Sequence, residues 1–276
     1  MPTAPTPLMP LPGARRIADD LGQPSATGFV LVWESALATF SGDLATGERL
    51  ATEVFGLATQ GGDQDAELVF GAQLFNIRLL QGRLGELEPL LHSVADRGLT
   101  PTAAQGMLAS LYAESGRFDE ARAALSAAAQ DGLIGLDRDV VWVAVAANMA
   151  QTCARVKDTA VAELLVPWLT PRRDWVITAG PTLWGVGSHY LGLLAAARGR
   201  LDEADTEFAL AAEAHERIGA RPWLARTQVA WATVLRDRDA SGDKTASREL
   251  AAAALSVARE LGLSATEREA AERLDP

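Results

Sequence analysis

Two segments of the chain write the same turn. "ESGRFDEARAALSAAA" spans residues 114–129 and "ARGRLDEADTEFALAAEA" spans residues 197–214. In each, a glycine ends one Ala-rich run and an acidic pair opens the next. Glycine reaches the left-handed conformation that closes a helix at low steric cost. Asp119–Glu120 and Asp202–Glu203 complement the positive N-terminus of the helix that follows. Helical spacing then puts Ala204, Phe208 and Ala211 on one face, and Ala121, Leu125 and Ala128 on its counterpart. The preceding helices supply a matching large–small pair, Leu108 with Ala109 and Leu191 with Gly192.

The turn recurs along the chain. Glycines between helical runs fall at Gly42, Gly82, Gly116, Gly199 and Gly242, and one gap is twice the others. One more turn belongs near the middle of that gap, at "RVKDTAV", residues 155–161. A period of about 34–47 residues signals stacked helical repeats. The expected fold is therefore all-α: a right-handed α-solenoid of about six helical hairpins over residues 26–262. "SATEREAAERL" follows as a terminal helix. Six of the 13 prolines lie within residues 1–24, so residues 1–25 read as a disordered tail and residues 26–276 as the repeat domain.

Leu191, Gly192, Ala204, Phe208 and Ala211 around Gly199 resemble the large–small pattern of tetratricopeptide (TPR) repeats. A narrower likeness covers residues 137–262. "DVVWVAVAANMAQTCARVKD", "LLVPWL", "GSHYLGLLAAARGRLDEAD" and "GARPWLARTQVAWATVLRDRD" resemble the C-terminal helical region of bacterial signalling ATPases of the adenylate-cyclase- or LuxR-associated type. The resemblance implies a regulatory array that follows an ATPase module. This chain has no G-x-x-x-x-G-K-[ST] phosphate loop.

The formal net charge of −11 disfavours nucleic acid and anionic membrane as partners. Of 25 basic residues only Lys157 and Lys244 are lysines, a bias that reads as compositional. A single cysteine, Cys153, cannot form an internal disulfide and fits a reducing cytoplasm.

Chemistry finds little purchase. His92, His189 and His215 lack metal-ligand spacing, and His92 and His215 read as exposed. Cys153 reads as a small core residue. Ser188 and His189 are adjacent, so their side chains diverge on a helix. No catalytic residue, cofactor or metal is expected. The glycines of "GPTLWGVGSHYLG" are expected within or opening a helix, where each interior glycine costs about 1 kcal/mol against Ala. Residues 185, 188, 189 and 192 would share a face of it, with Trp184 at the edge. The expected function is a non-catalytic protein–protein interaction or regulatory module that holds a protein or peptide on its concave face. Asn76, Gln105, Trp142, Asn148, Trp184, His189 and Trp223 are the candidate contacts, because aromatic residues are enriched in binding surfaces. The alternatives are a small-molecule sensor with a pocket near Trp184 and His189, and an enzyme built on an α-solenoid. Ala204→Leu should overpack the hairpin crossing and cost about 1–3 kcal/mol, read as a lowered urea midpoint; an unchanged midpoint would show the register to be wrong.

Overall fold

The computed structural model describes residues 11–62, 65–95, 101–130, 133 and 142–274. These residues are predominantly helical: α1 (Leu11–Leu21), α2 (Pro24–Ser41), α3 (Leu44–Gln60), α4 (Ala66–Gln81), α5 (Glu88–Ala95), α6 (Pro101–Glu114), α7 (Phe118–Ala128), α8 (Trp142–Val156), α9 (Thr159–Leu169), α10 (Gly187–Ala197), α11 (Leu201–Ile218), α12 (Arg221–Arg238), α13 (Asp243–Leu261) and α14 (Ser264–Leu274). None of them is long and apolar enough to cross a membrane.

The turns lie where the glycines place them. Gly42, Gly82, Gly116, Gly199 and Gly242 all have positive φ. The turn expected near residue 157 is present, built on a different residue. Lys157 takes a φ of 56°, and the Asp158 carboxylate accepts from the Val161 N–H at 3.0 Å to cap α9. Sequential helices pack as pairs, α2 on α3, α6 on α7, α8 on α9, α10 on α11 and α12 on α13. Ala121, Leu125, Ala204, Phe208 and Ala211 are fully buried at the crossings. A Cβ at Gly192 would lie 2.7 Å from the Phe208 ring, so close helix approach repays that interior glycine.

The N-terminal expectation needs correction. Residues 11–21 are a helix, not part of a disordered tail. Pro12 and Pro24 sit in the first turns of α1 and α2, where a missing N–H costs nothing. Ala18 is buried, and Arg15 pairs with Glu34 of α2 at 2.8 Å. Residues 1–10 of the expected tail lie outside the described residues.

The second correction is larger. The segment before α10 is an antiparallel β-hairpin, β1 (Val176–Ala179) and β2 (Thr182–Val186). Trp184 and Gly185 therefore lie on a strand, and α10 begins at Gly187. Val176, Ile177, Thr178, Thr182, Trp184 and Val186 are β-branched or aromatic and suit extended backbone. Ala179 pairs with Thr182 across a Gly180–Pro181 loop. Gly180 supplies a φ of 52° and proline a fixed negative φ, the combination a II′ hairpin turn requires. Gly187 is then obligatory, since a Cβ there would stand 1.9 Å from the Arg172 carbonyl oxygen.

Every residue of β2 is buried. The strand packs among α2, α4, α10 and α11, while β1 lies on α8. The two ends of the array meet around it: α12 touches α2, and α14 touches α4. One apolar core runs from Ala36 to Ala270 through this hairpin. Trp184 is 3% exposed, with its ring 6.1 Å from Phe75 and 6.0 Å from Trp223. We predict that Trp184→Ala costs about 3–5 kcal/mol, measured by chemical denaturation; a loss under 1 kcal/mol would show that the hairpin does not hold the core together.

Candidate functional site

The hairpin's backbone explains one of the candidate contacts, Asn76, and the burial of His215. A lone hairpin among helices has outer strand edges with unpaired N–H and C=O groups, which must be satisfied when buried. Asn76 Nδ2 donates to the Leu183 carbonyl at 2.8 Å. The Val186 N–H donates to His215 Nε2 at 2.9 Å. His215 is fully buried, contrary to the exposure its polar neighbours suggest, because its helix turns it onto β2.

That hydrogen bond orders a chain of protons. With Nε2 accepting, neutral His215 carries its proton on Nδ1, which lies 3.1 Å from Thr227 Oγ1. Thr227 in turn lies 2.9 Å from His189 Nδ1. Thr227 thus accepts from His215 and donates to His189, which leaves the His189 proton on Nε2. Burial holds both imidazoles neutral. It pulls His215 down to about 3, and it holds His189 well below its ordinary value with help from His215 and Arg226.

Burial removes two more candidates from the surface. Trp223 is fully buried. Asn148 is buried, donates to the Ala144 carbonyl and accepts from Ser110 Oγ at 3.2 Å. Trp142 is half-buried, edge-on to Trp168, with the Arg172 guanidinium 4.4 Å above its ring. Gln105 is half-buried on α6. Of the seven, only His189 borders the substantial cleft.

That cleft lies among α8, α10, α12 and α14 and has a volume of about 620 Å³. Leu193, Ala196, Phe208, Val229, Ala230 and Val234 form an apolar wall, and Gln151, Arg155, Arg226, Arg236 and Arg273 form the polar side. The polar side is anchored by Glu114, whose side chain is 6% exposed. Its carboxylate takes Arg155 at 3.0 Å and Arg226 at 3.1 Å, and Arg155 reaches on to Glu269 at 2.6 Å. One carboxylate on α6 so ties α8, α12 and, through Arg155, α14. Burial alone would raise its pKa, but the two guanidiniums win and hold it below the usual carboxylate range. Arg226 also donates to Gln151 Oε1. Among the described residues Gln151 Nε2 and Arg226 Nε are buried without a partner.

These arginines escape a sequence reading that treats the arginine bias as compositional. The signal available was position: Arg226 lies in "GARPWLART" and Arg155 in the turn segment "RVKDTAV". Each arginine serves two acceptors through its Nη2, Glu114 and Glu269 for Arg155 and Glu114 and Gln151 for Arg226.

Among the described residues no group of three or more His, Cys, Asp and Glu side chains is placed to hold a metal. Burial, with the Asp158 charge, pushes the Cys153 thiol far up, so it stays protonated. No family model matches the chain, and no curated protein matches it either.

An unfolded chain protonates its histidines near 6.5, whereas the folded one keeps His189 and His215 neutral. Stability should therefore fall as pH drops from about 6.5 toward 3, by up to about 1.4 kcal/mol per pH unit per histidine. His215→Gln keeps an acceptor for the Val186 N–H and removes one of those protons. Urea midpoints at pH 7.5, 6 and 5 should give a shallower slope for the variant; parallel slopes would place the His215 titration elsewhere.

Proposed function

We propose that the chain is a non-catalytic, ligand-sensing regulatory module. In this reading the array is a solenoid of about six TPR-like hairpins, and its inner side takes a small organic molecule in the cleft. The observation that carries it is the cleft itself. About 620 Å³ lies within the range of small-molecule sites, and its lining sets an apolar wall against polar and charged groups. A long peptide on the inner side fits less well, because the β-hairpin and Trp184 fill the space beside α2, α4 and α10. A non-catalytic role agrees with the buried neutral histidines and the protonated thiol, none of which is poised for proton transfer or attack. The likeness to the helical regions of signalling ATPases supports a regulatory setting.

Ala230 lines the cleft and is only half-buried, so Ala230→Trp can fill the space without entering the core. A thermal-shift screen of small metabolites tests the reading. Binding at 100 times Kd adds about 2.7 kcal/mol of stability, which raises Tm by several degrees. Ligands that stabilise the parent should leave Ala230→Trp unmoved. Equal shifts in both proteins would place binding outside the cleft.

A further inference from the structure

The cleft inverts the charge of the protein that contains it. The chain carries −11, yet Arg155, Lys157, Arg226, Arg236 and Arg273 line the cleft against Asp237, Glu269 and Glu272. The acids leave the cations unevenly matched. Arg155 and Arg226 are held by Glu114 and Glu269. Arg273 donates from Nε to Thr233 Oγ1 at 2.9 Å, and its nearest carboxylate, on Glu272, is 3.8 Å away. Arg236 is exposed at the mouth of the cleft and, among the described residues, has no ion pair. Burial, with repulsion from Arg236, draws Arg273 below the ordinary guanidinium range against the opposing pull of Glu269, Glu272 and Asp237. Both arginines stand in the last turns of their helices, where a cation complements the dipole.

The neutral groups have the same polarity. The proton order from Val186 through His215 and Thr227 leaves His189 an Nε2 donor, and His189 borders the cleft. Gln151, which is 4% exposed and lines the cleft, spends its oxygen on Arg226 and leaves its amide nitrogen unpartnered. Arg226, with a side chain 9% exposed, has an Nε that is unpartnered among the described residues. Buried donors without acceptors are costly, and a planar oxyanion suits a guanidinium fork. The wall from Leu193 to Val234 is apolar.

We propose that the cleft binds an apolar organic monoanion, its body against Leu193, Phe208, Val229 and Val234 and its oxyanion head held by Arg273 and Arg236. This deepens the ligand-sensing reading and rests on it. Arg226, Gln151 and His189 position the polar floor.

Fluorescence titration of the full chain with two probes tests the assignment. 1-Anilinonaphthalene-8-sulfonate carries an anionic head; N-phenyl-1-naphthylamine is its neutral counterpart. The sulfonate should bind saturably and lose affinity as salt rises, and Ala230→Trp should abolish binding of both probes. The double variant Arg236→Gln/Arg273→Gln should weaken the sulfonate at least tenfold and the neutral probe less than twofold. Arg236→Lys/Arg273→Lys, which keeps both charges, should restore most of the sulfonate affinity. Dodecanoate or dodecyl phosphate should displace the sulfonate and dodecanol should not, and the better competitor identifies the head group. Equal weakening of both probes by the glutamine variant, no weakening of either, or displacement by dodecanol would overturn the anion assignment. Probe binding indifferent to Ala230→Trp would instead overturn the cleft as the site.

Discussion

A two-stranded hairpin enclosed by helices has outer edges that no ladder satisfies, and this constraint organises the molecule. Backbone N–H and C=O groups cannot be buried unpaired at low cost. Asn76 from α4 meets the Leu183 carbonyl, and His215 from α11 meets the Val186 N–H. Two polar side chains on distant helices are thus committed to one strand. Trp184 on that strand then packs against Phe75 and Trp223, drawing α4 and α12 onto the same centre. The hairpin thereby acts as a core element among the helices, with every residue of β2 buried.

What the hairpin leaves uncovered is the cleft at the other end of α8, α10 and α12. Its floor depends on Glu114, a carboxylate that is ionised only because two guanidiniums outweigh its desolvation. The geometry is fixed in consequence, since either arginine alone would leave a buried charge half matched. The proton order set at the hairpin ends at His189, on the border of the cleft. The element that closes the array and the space proposed for a ligand are therefore linked by three hydrogen bonds through His215 and Thr227.

The helical hairpins were legible because their signals are local. A glycine with positive φ, an acidic first turn and a small residue facing a large one are each decided within a few residues. Even the turn at Lys157, which has no glycine, could be placed from the period of its neighbours. The hairpin at 176–186 was misread although its β-branched residues and Gly–Pro loop are also local signals. Reading the glycines of "GPTLWGVGSHYLG" as positions within or opening a helix carried Trp184 and Gly185 into it. His215 was misread for a related reason: its neighbours Glu213, Glu216 and Arg217 are polar, and only the strand packed on its face makes it core.

The amino-acid sequence by itself determined the helical class, the positions of the turns and the small residues at the crossings, because those depend on backbone conformation and on periodicity along one chain. Only the tertiary structure decided which aromatics were core, where the inner space remained and which arginines bordered it. Those outcomes rest on contacts between residues far apart in the chain, such as Asn76 with Leu183 and Arg226 with Glu114. Burial of a polar group is stable only when its partner arrives from elsewhere in the fold, and no local pattern records that partner.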